Sequence, residues 1–480
     1  KGAFIKLKKF FISPNFTRLL SKEFHVPMNL LKKKIIGVEH HVAHAAVAFY
    51  SSHFKSSAIL SIDGSGEVAT TLLGKFQGNK FTKLKQVFFP HSVGLLYSTI
   101  TQFLGFRIDN GEGKVMGLAP YGEPVYKDIF DKMIWPTKNG KFKMNMSYFR
   151  YHFTGEKKTP FYSKKIVRLF GKPRIKESEI TRRDQNLAAT LQDSTEKIGI
   201  HLARHLWDLT REKNLCISGG VALNSVMNFK IKQNTRFKNI YIYPASSDAG
   251  CAIGSAYYLY YNLMNNAVQK VTQSPYLGPA YSDEQIEEAC KKFKLKYTVQ
   301  KDPDRLTQFA AEKIKQGKIL GWFQGRMEVG PRALGNRSII CAPFPGKMKD
   351  ILNDRVKHRE GFRPFAPSAK TEGYKKYFDI DTPSPYMLLV CDVKKEKLDQ
   401  VAAITHVDNT ARLQTVSKEE NPLYWKLIDK YEKISGIPVI LNTSFNVRGE
   451  PIVSSPEDAI KCFLGTHMDY LIMGHHIVKK

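Results

Sequence analysis

The chain has 480 residues, with 74 lysines and arginines against 44 aspartates and glutamates, which gives a formal net charge of +30. This length exceeds what one hydrophobic core ordinarily supports, so two domains are expected. The six cysteines form no CxxC pair, which argues against a zinc ribbon or a disulfide framework and fits reduced thiols in a cytoplasmic protein. The charge-free stretch 249–269 is rich in Gly, Ser, Asn and Tyr, which predicts a buried helix and no membrane span.

Basic residues cluster in three segments of the chain, at 6–11, 31–36 and 156–176. A nucleic acid or another polyanion is one explanation of such clusters, and the third segment interleaves aromatic residues with its lysines. Lysines spread over solvated surfaces are the other explanation, and the charge pattern favours it. We therefore expect no nucleic-acid partner despite the net charge.

In the first part of the chain, short apolar runs alternate with glycine-rich turns and helical patterns. The order predicts a strand at 35–38, a helix that contains "HHVAHAA" (40–46), a strand at 58–62, a turn at 63–67 and a returning strand. An amphipathic helix at 187–209 follows, with strands at 215–218 and 239–244. Strands that end in glycine turns before helices indicate a mixed α/β fold.

Two histidines in this segment, His40 and His44, are four residues apart, so on a helix both imidazoles face one side. The alanines between and after them would let another backbone approach closely. Asp248, between a predicted strand and a helix, is a candidate third ligand. The spacing alone leaves metal binding and ordinary packing both open. A second pair, His201 and His205, lies in an amphipathic helix and is better explained as structural.

Three glycine turns follow or precede predicted strands and could approach a phosphate through backbone N–H groups. They are "DGSGE" (63–67), "GEGKVMGLAPYG" (111–122) and "SGGVALN" (218–224). Together they predict a nucleotide site that uses Asp63, Gly64, Ser65, Gly66, Lys114, Gly219, Gly220 and Asn224, and the carboxylates of Asp63 and Glu67 could hold a metal ion or its waters. For each turn alone, a plain hairpin or helix start is the competing explanation.

The second part of the chain, after a Pro- and Gly-containing break at 273–285, predicts another α/β domain with strands at 318–324, 338–344 and 437–443. Its loops are rich in arginine and amide side chains. These are Arg326, Arg332, Arg337, Lys357, Arg359, Arg363, Asn442, Thr443, Ser444 and Asn446. Arginines bind planar anions with two parallel hydrogen bonds, and amide and hydroxyl groups recognise carbonyl and amide edges. A small anionic amide such as carbamoyl phosphate would need this combination.

Together, these stretches resemble the ATP-dependent O-carbamoyltransferases that modify antibiotics and nodulation factors. The matching segments run in order from residue 37 to about residue 460 and include "HHVAHAA", "SIDGSGE", "SSDAGCAIGSA", "GRMEVGPRALGNRS", "REGFRPFAPS", "THVDNTARLQTV" and "PVILNTSFNVRGEPIV". The resemblance implies an actin-like ATPase domain of the sugar-kinase type over 1–272, followed by a YrdC-like α/β domain over 273–480. It also implies that family members carry further strands before the segment that matches residue 1, so the first domain is expected to be N-terminally incomplete.

The resemblance further implies the chemistry: carbamoyl phosphate and ATP, with Mg²⁺, give carbamoyl adenylate, and the carbamoyl group passes to a hydroxyl of a sugar or natural product. Iron(II) or another divalent metal would be bound by His40, His44 and Asp248. The catalytic set would be these three residues with Lys114 and Arg332. The donor pocket would be lined by Arg332, Arg359, Arg363, Arg412, Asn442 and Ser444.

Two other functions compete with this interpretation. One is a transferase of the type that makes threonylcarbamoyladenosine in tRNA, and the other is an inactive nucleotide-binding remnant. The basic charge favours the first of these, whereas "GPRALGNRS", "LNTSFNVRGEP" and the domain order argue against it. The sequence leaves the acceptor and the oligomeric state open.

Overall fold

The structure is a computed structural model that describes residues 16–153, 159–268 and 274–480. The chain divides into two compact units, Lys1–Gln273 and Ser274–Lys480. The basic segment 6–11 and residues 156–158 of the segment 156–176 lie outside the described residues. Among the described residues, no helix combines the length and the apolar character that crossing a membrane requires.

The first unit contains both helices and strands, as its apolar runs and glycine-rich turns predict. Its helices are α1 (Phe16–Glu23), α2 (Met28–Lys34), α3 (His40–Ser51), α4 (Val93–Phe103), α5 (Glu112–Leu118), α6 (Lys127–Asp131), α7 (Lys164–Phe170), α8 (Arg182–Thr210), α9 (Ser225–Asn234) and α10 (Cys251–Tyr257). Its strands are β1 (Ser56–Ile62), β2 (Ala69–Gln77), β3 (Lys80–Phe88), β4 (Ile134–Thr137), β5 (Lys141–Met144), β6 (Asn214–Ser218) and β7 (Asn239–Ile242).

Five of these strands form one mixed sheet in the order β3-β2-β1-β6-β7. Strands β1, β2 and β3 pair antiparallel, whereas β6 is parallel to β1 and β7 is parallel to β6. Strand β1 is buried from Ser57 to Ile62, as its apolar run predicts. Because β1 and β6 run in the same direction, the turns that follow Ile62 and Ser218 meet at one edge of the sheet.

Two sequence predictions in this unit are wrong. Residues 35–38 form no strand, and Ile36 is 54% exposed, because no neighbouring strand pairs with this segment among the described residues. Residues 249–268 contain α10 and a π-helical extension, Tyr258–Leu263, but most of their side chains are half-exposed or exposed. Their small residues therefore serve close contact along one side and do not indicate full burial.

The second unit contains helices α11 (Asp283–Lys292), α12 (Pro303–Lys315), α13 (Met348–Leu352), α14 (Pro422–Ser435) and α15 (Pro456–Leu464). Its strands are β8 (Tyr297–Val299), β9 (Leu320–Phe323), β10 (Arg337–Cys341), β11 (Ala366–Lys370), β12 (Phe378–Asp379), β13 (Cys391–Val393), β14 (Thr410–Ala411), β15 (Gln414–Val416), β16 (Val439–Ser444), β17 (Tyr470–Met473) and β18 (His476–Lys479).

Eight of these strands form one mixed sheet in the order β15-β11-β16-β10-β9-β17-β18-β8, and β12, β13 and β14 form a small separate sheet. Helix α11 begins where its sequence predicts, because the Ser282 side chain accepts the Gln285 N–H in a capping box. The two units together form an α/β protein with two domains, as predicted. The finer assignment to actin-like and YrdC-like domains stays a prediction.

Candidate functional site

The two histidines of α3 meet at a carboxylate from the turn after β1. The Nε2 atoms of His40 and His44 lie 3.1 Å apart, and both contact the same oxygen of Asp63, Oδ2, at 2.8 and 3.0 Å. The other oxygen, Oδ1, accepts the backbone N–H groups of Gly64 at 2.7 Å and Gly220 at 3.1 Å. Asp63 therefore lies beside the histidine pair, whereas the sequence assigned it to a nucleotide turn.

Two further donor groups approach the same point from the start of α10. Asp248 Oδ1 lies 3.6 Å from both histidine Nε2 atoms, and Cys251 Sγ lies 3.5 Å from His44 Nε2. The ligand atoms of His40, His44, Asp248 and Cys251 all lie within 4.8 Å of one another. Imidazole, carboxylate and thiol donors that converge in this way fit a divalent transition metal. The structure thus brings together the three predicted metal ligands and adds Cys251.

Close backbone contacts place these groups. A Cβ on Gly254 of α10 would lie 1.9 Å from the Ala43 carbonyl oxygen, so the two helices touch where both residues are small. At the start of α3, the Glu67 carboxylate accepts the His40 N–H at 3.0 Å, which stabilises an otherwise unpaired donor at the helix N-terminus. The alanines next to the histidines therefore allow the close approach that the sequence predicts.

The pKa values of His44 and its neighbour His41 are shifted in opposite directions. Burial lowers the pKa of His44, but hydrogen bonds with Asp248 and Asp63 outweigh it and raise the pKa to about 11. Burial also opposes ionisation of Asp63, yet the two histidines hold the pKa of that carboxyl far below its usual range. His41, by contrast, has its pKa lowered to about 4 by burial, and its ring bonds to Ser61 Oγ and the Ala69 carbonyl oxygen. His41 is therefore a neutral structural residue.

The turns at 63–67 and 218–220 lie where the sequence predicts, but their N–H groups already have acceptors, whereas the third predicted turn, 111–122, is mostly helical. Gly64 and Gly220 donate to Asp63, Gly66 donates to the Ala69 carbonyl at 2.7 Å, and Gly219 donates to the Ser246 carbonyl at 2.9 Å. Gly219 has φ +87°, and a Cβ there would lie 2.2 Å from the Ile62 carbonyl oxygen. Ser65 is half-buried in the first of these turns. A phosphate could reach these N–H groups only by replacing existing bonds, and the nucleotide role stays a prediction.

Two other residues of that predicted site have structural contacts. Asn224 caps α9 by accepting the Met227 N–H at 3.0 Å, and its amide donates to Gln192 Oε1 at 2.8 Å. Lys114 lies within α5, not in the loop that its glycines suggested, and its ammonium lies 5.5 Å from the Phe106 ring centroid. Capping thus accounts for Asn224, and the role of Lys114 stays a prediction.

In the second unit, four predicted arginines converge. Burial lowers the pKa of Arg332 to about 10 and that of Arg359 to about 9, and the charge of Arg363 contributes to both shifts. The pKa of Arg412 is held well below its usual value by burial and by the charges of the other three. Positive charges gathered in a buried place repel one another, and a bound anion would relieve that repulsion. We call Arg332, Arg359, Arg363 and Arg412 the arginine cluster.

Lys357 adds a fifth cation beside this cluster. Its ammonium donates to the carbonyl and hydroxyl oxygens of Ser444 and to the carbonyl and side-chain oxygens of Asn446, at distances of 2.5 to 3.3 Å. Burial and then the charges of Arg359 and Arg363 hold its pKa well below its usual value. The one carboxylate that pairs with the cluster is Glu360, 3.7 Å from Arg363, among the residues that the structure describes.

Asn442 and Ser444, also predicted for this pocket, lie on β16. The Asn442 amide nitrogen donates to the Ala333 carbonyl, Ser368 Oγ and Gln414 Oε1 at 3.2, 3.1 and 2.9 Å. Its Oδ1 is buried and has no hydrogen-bond partner within the described ranges. The Ser444 hydroxyl donates to Asn446 Oδ1 at 2.7 Å. Ser444 is thus connected to the cluster through Lys357, and Asn442 through the residue next to Arg332.

The loop that carries Arg332 is held by a carboxylate. Glu328 Oε1 accepts three backbone N–H groups, from Leu334 at 2.8 Å, Asn336 at 2.7 Å and Arg337 at 3.1 Å. Arg337 is fully buried, donates to backbone carbonyls and stacks on Phe323, so it supports the loop and does not join the cluster.

Three residues of these sites were missed or misassigned from the sequence. Asp63 was assigned to the nucleotide turn as a residue that could hold a metal but was not grouped with the histidines, Cys251 was counted only as a reduced thiol, and Lys357 was noted but not selected. A thiol three residues after Asp248 was a signal for Cys251, because cysteine is a metal ligand. For Asp63, the signals were its carboxylate in a glycine turn, which could hold a metal, and its place after β1, at the edge that it shares with the turn after β6.

Known proteins align with both units of this chain. The family model described as "Carbamoyltransferase N-terminus" matches residues 3–257, and "Carbamoyltransferase C-terminus" matches residues 311–480. An uncharacterized protein of Synechocystis sp. is 45% identical over 472 residues, which cover 92% of this chain and 76% of that protein. Nodulation protein NolO of Bradyrhizobium diazoefficiens is 38% identical, and the match covers 92% of this chain and 79% of that protein.

Nodulation protein NolNO of Sinorhizobium fredii is also 38% identical, with 96% of this chain and 66% of that protein covered. A crystal structure of full-length HypF aligns with 39% of this chain at 22% identity and a TM-score of 0.28, which is too low to support any argument. The family models cover both units, and the relatives cover most of the chain. The chain therefore belongs to the carbamoyltransferase family and is a carbamoyltransferase.

Proposed function

We propose that this carbamoyltransferase makes carbamoyl adenylate from carbamoyl phosphate and ATP, and transfers the carbamoyl group to a hydroxyl of a sugar or natural-product acceptor. The observation that carries the proposal is the group of four half-buried arginines, Arg332, Arg359, Arg363 and Arg412, in which burial and then the charges of neighbouring arginines lower the pKa values of Arg332, Arg359 and Arg412. Guanidinium groups bind phosphate and carboxylate oxygens with paired hydrogen bonds. Both donor substrates are phosphate anions.

The proposed reaction has three balanced steps. Water cleaves carbamoyl phosphate to carbamate and inorganic phosphate. A carbamate oxygen then attacks the α-phosphorus of ATP, and the bond to the β-phosphate breaks with release of pyrophosphate. The acceptor hydroxyl attacks the carbamoyl carbon, AMP leaves, and the hydroxyl proton is lost. Fixed arginines stabilise the charge that grows on phosphate oxygens in the second step, and a site that excludes water protects the adenylate from hydrolysis.

In the first unit, His40, His44, Asp248 and Cys251 would hold a divalent metal, with Asp63 beside them. Iron(II) is our first candidate, because two imidazoles and a carboxylate are a common ligand set for that ion. When bound, such an ion polarises a carbonyl group and lowers the pKa of a bound hydroxyl. The roles of Lys114 and of the glycine turns in nucleotide binding, and the actin-like and YrdC-like assignments, belong to the same proposal.

Pyrophosphate release tests the donor half of the proposal. The protein is incubated with ATP and Mg²⁺, with and without carbamoyl phosphate, and no acceptor is added. We expect release that depends on carbamoyl phosphate and falls about a hundredfold or more in Arg332→Ala, as when one fixed donor to a developing charge is removed. Exchange of the exposed Arg305 in α12 for Ala is the matched control and should leave the rate unchanged. Pyrophosphate release that does not depend on carbamoyl phosphate, or that continues at the wild-type rate in Arg332→Ala, would contradict the proposed donor pocket.

A further inference from the structure

His406 lies in a tight turn before β14, beside the arginine cluster. Its backbone N–H donates to the Thr410 carbonyl at 2.8 Å, and its ring Nδ1 lies 3.0 Å from Thr410 Oγ1. The Thr410 hydroxyl donates its own hydrogen to Asp408 Oδ1 at 2.8 Å. Because that hydrogen is already used, Thr410 Oγ1 accepts from the ring, and the ring proton belongs on Nδ1. The other nitrogen, Nε2, then carries a lone pair.

This lone pair has no partner in the described part of the chain. Nε2 of His406 is buried and makes no hydrogen bond there. Burial lowers the pKa of His406 to about 4, Asp408 opposes this shift, and Arg412 and Lys349 reinforce it, so the ring is neutral at pH 7. Buried polar atoms without a partner are uncommon in folded proteins, and a missing ligand is one cause.

The neighbours of His406 indicate what such a ligand would be. Besides Asp408, its charge interactions are with Arg412 and Lys349, and Arg412 interacts in turn with Arg332, Arg359 and Arg363. Guanidinium and ammonium groups only donate hydrogen bonds, so they recognise the oxygens of carbamoyl phosphate but cannot accept its N–H groups. Nε2 of His406 and Oδ1 of Asn442 are two buried acceptors that lack partners within the described ranges.

We propose that His406 Nε2 accepts a hydrogen bond from the carbamoyl amino group and, with Asn442 Oδ1, makes the arginine cluster selective for carbamoyl over acyl phosphates. His406 is thus a specificity-determining residue. The hydrogen bonds from Thr410 to Asp408 and from His406 to Thr410 fix the position of its ring and keep the proton on Nδ1. The inference rests on the proposed function, because it presupposes that the cluster binds carbamoyl phosphate. It adds the group that distinguishes –NH₂ from –CH₃ on an otherwise similar ligand.

Binding of three anions by calorimetry tests this inference. Carbamoyl phosphate, acetyl phosphate and inorganic phosphate are titrated separately into the wild type, His406→Phe and His406→Gln. The wild type should bind carbamoyl phosphate at least tenfold more tightly than acetyl phosphate, because an acetyl group leaves both acceptors unpaired. His406→Phe should lose about tenfold in affinity for carbamoyl phosphate alone, and His406→Gln, which retains an acceptor oxygen, should keep part of the preference. Exchange of the exposed His467 for Phe is the matched control and should change none of the three affinities.

Equal affinity of the wild type for carbamoyl and acetyl phosphate would overturn the inference without any variant, so it stays testable if His406→Phe fails to fold. An undiminished preference in folded His406→Phe would overturn the role of His406 and leave the proposed function standing. A wild type that binds neither carbamoyl phosphate nor inorganic phosphate would overturn the proposed function together with this inference.

Discussion

Glu328 gives the sharpest stability test, because one of its oxygens holds three backbone N–H groups of the loop that carries Arg332. Those groups belong to Leu334, Asn336 and Arg337, at 2.7 to 3.1 Å. Glu328 is 5% exposed, so water does not compete for these bonds. Exchange for Gln keeps one acceptor oxygen, removes the negative charge and replaces Oε2, which is buried without a partner in the described part of the chain, with an –NH₂ group.

The expected loss of stability follows from the number of hydrogen bonds that Glu328 accepts. A hydrogen bond to a charged acceptor contributes about 1.5–3 kcal/mol, against about 0.5–1.5 kcal/mol for a neutral one. A loss of about 1 kcal/mol for each of three bonds gives about 3 kcal/mol in the free energy of unfolding. For a unit of this size, each kcal/mol lowers the Tm by about 2–4 °C, so we expect a decrease of about 6–12 °C.

Thermal unfolding and urea denaturation of Glu328→Gln measure this directly, and Glu312→Gln on the exposed side of α12 is the matched control. Below both midpoints, we also expect weaker inorganic phosphate binding by Glu328→Gln, since the loop positions Arg332. A Glu328→Gln protein whose stability lies within about 0.5 kcal/mol of the wild type, the range of ordinary surface changes, would refute the reasoning.

Three further predictions concern the metal cluster, helix contact and pH. His44→Ala should remove bound metal, measured by elemental analysis, and leave pyrophosphate release largely intact, whereas His201→Ala should retain the metal. Loss of pyrophosphate release together with the metal in His44→Ala would count against separate sites. Gly254→Val should destabilise the first unit by more than about 2 kcal/mol, because its Cβ would overlap a carbonyl of α3, whereas Gly113→Ala has open space around its Cβ and should be neutral in the same denaturation assay. Burial raises the pKa of Glu420 from 4.5 to about 7, although a hydrogen bond from a neighbouring tyrosine opposes the shift. The folded state therefore holds this proton more tightly, so Glu420 makes stability fall as the pH rises from 4.5 to 7; Glu420→Gln should flatten that part of the stability profile, and an unchanged slope would contradict the assignment.

The predictable parts of the molecule are those that depend on local sequence. The apolar run at 58–62, the glycine turns at 63–67 and 218–220, the capping serine before α11 and the four-residue spacing of His40 and His44 each act within a few residues, and the structure has these elements. The strand predicted at 35–38 failed because an apolar run forms a strand only when another strand pairs with it.

The phosphate site predicted at the glycine turns differs from the structure for another reason. Sequence reasoning assumes that N–H groups in such turns are free, whereas Asp63 accepts those of Gly64 and Gly220. Asp63 and Gly220 are far apart in sequence, and only the parallel pairing of β1 with β6 brings them together.

The sequence by itself determined which donor groups are present: two imidazoles on one side of a helix, a set of arginines in loops, and the motifs that define the family. The tertiary structure alone decided which of these groups meet. It added Asp63 and Cys251 to the histidines, separated Arg337 from Arg332, and left His406 Nε2 without a partner in the described part of the chain. The reason is physical: side-chain chemistry is fixed by residue type, whereas convergence, burial and the resulting pKa values depend on contacts between residues distant in sequence.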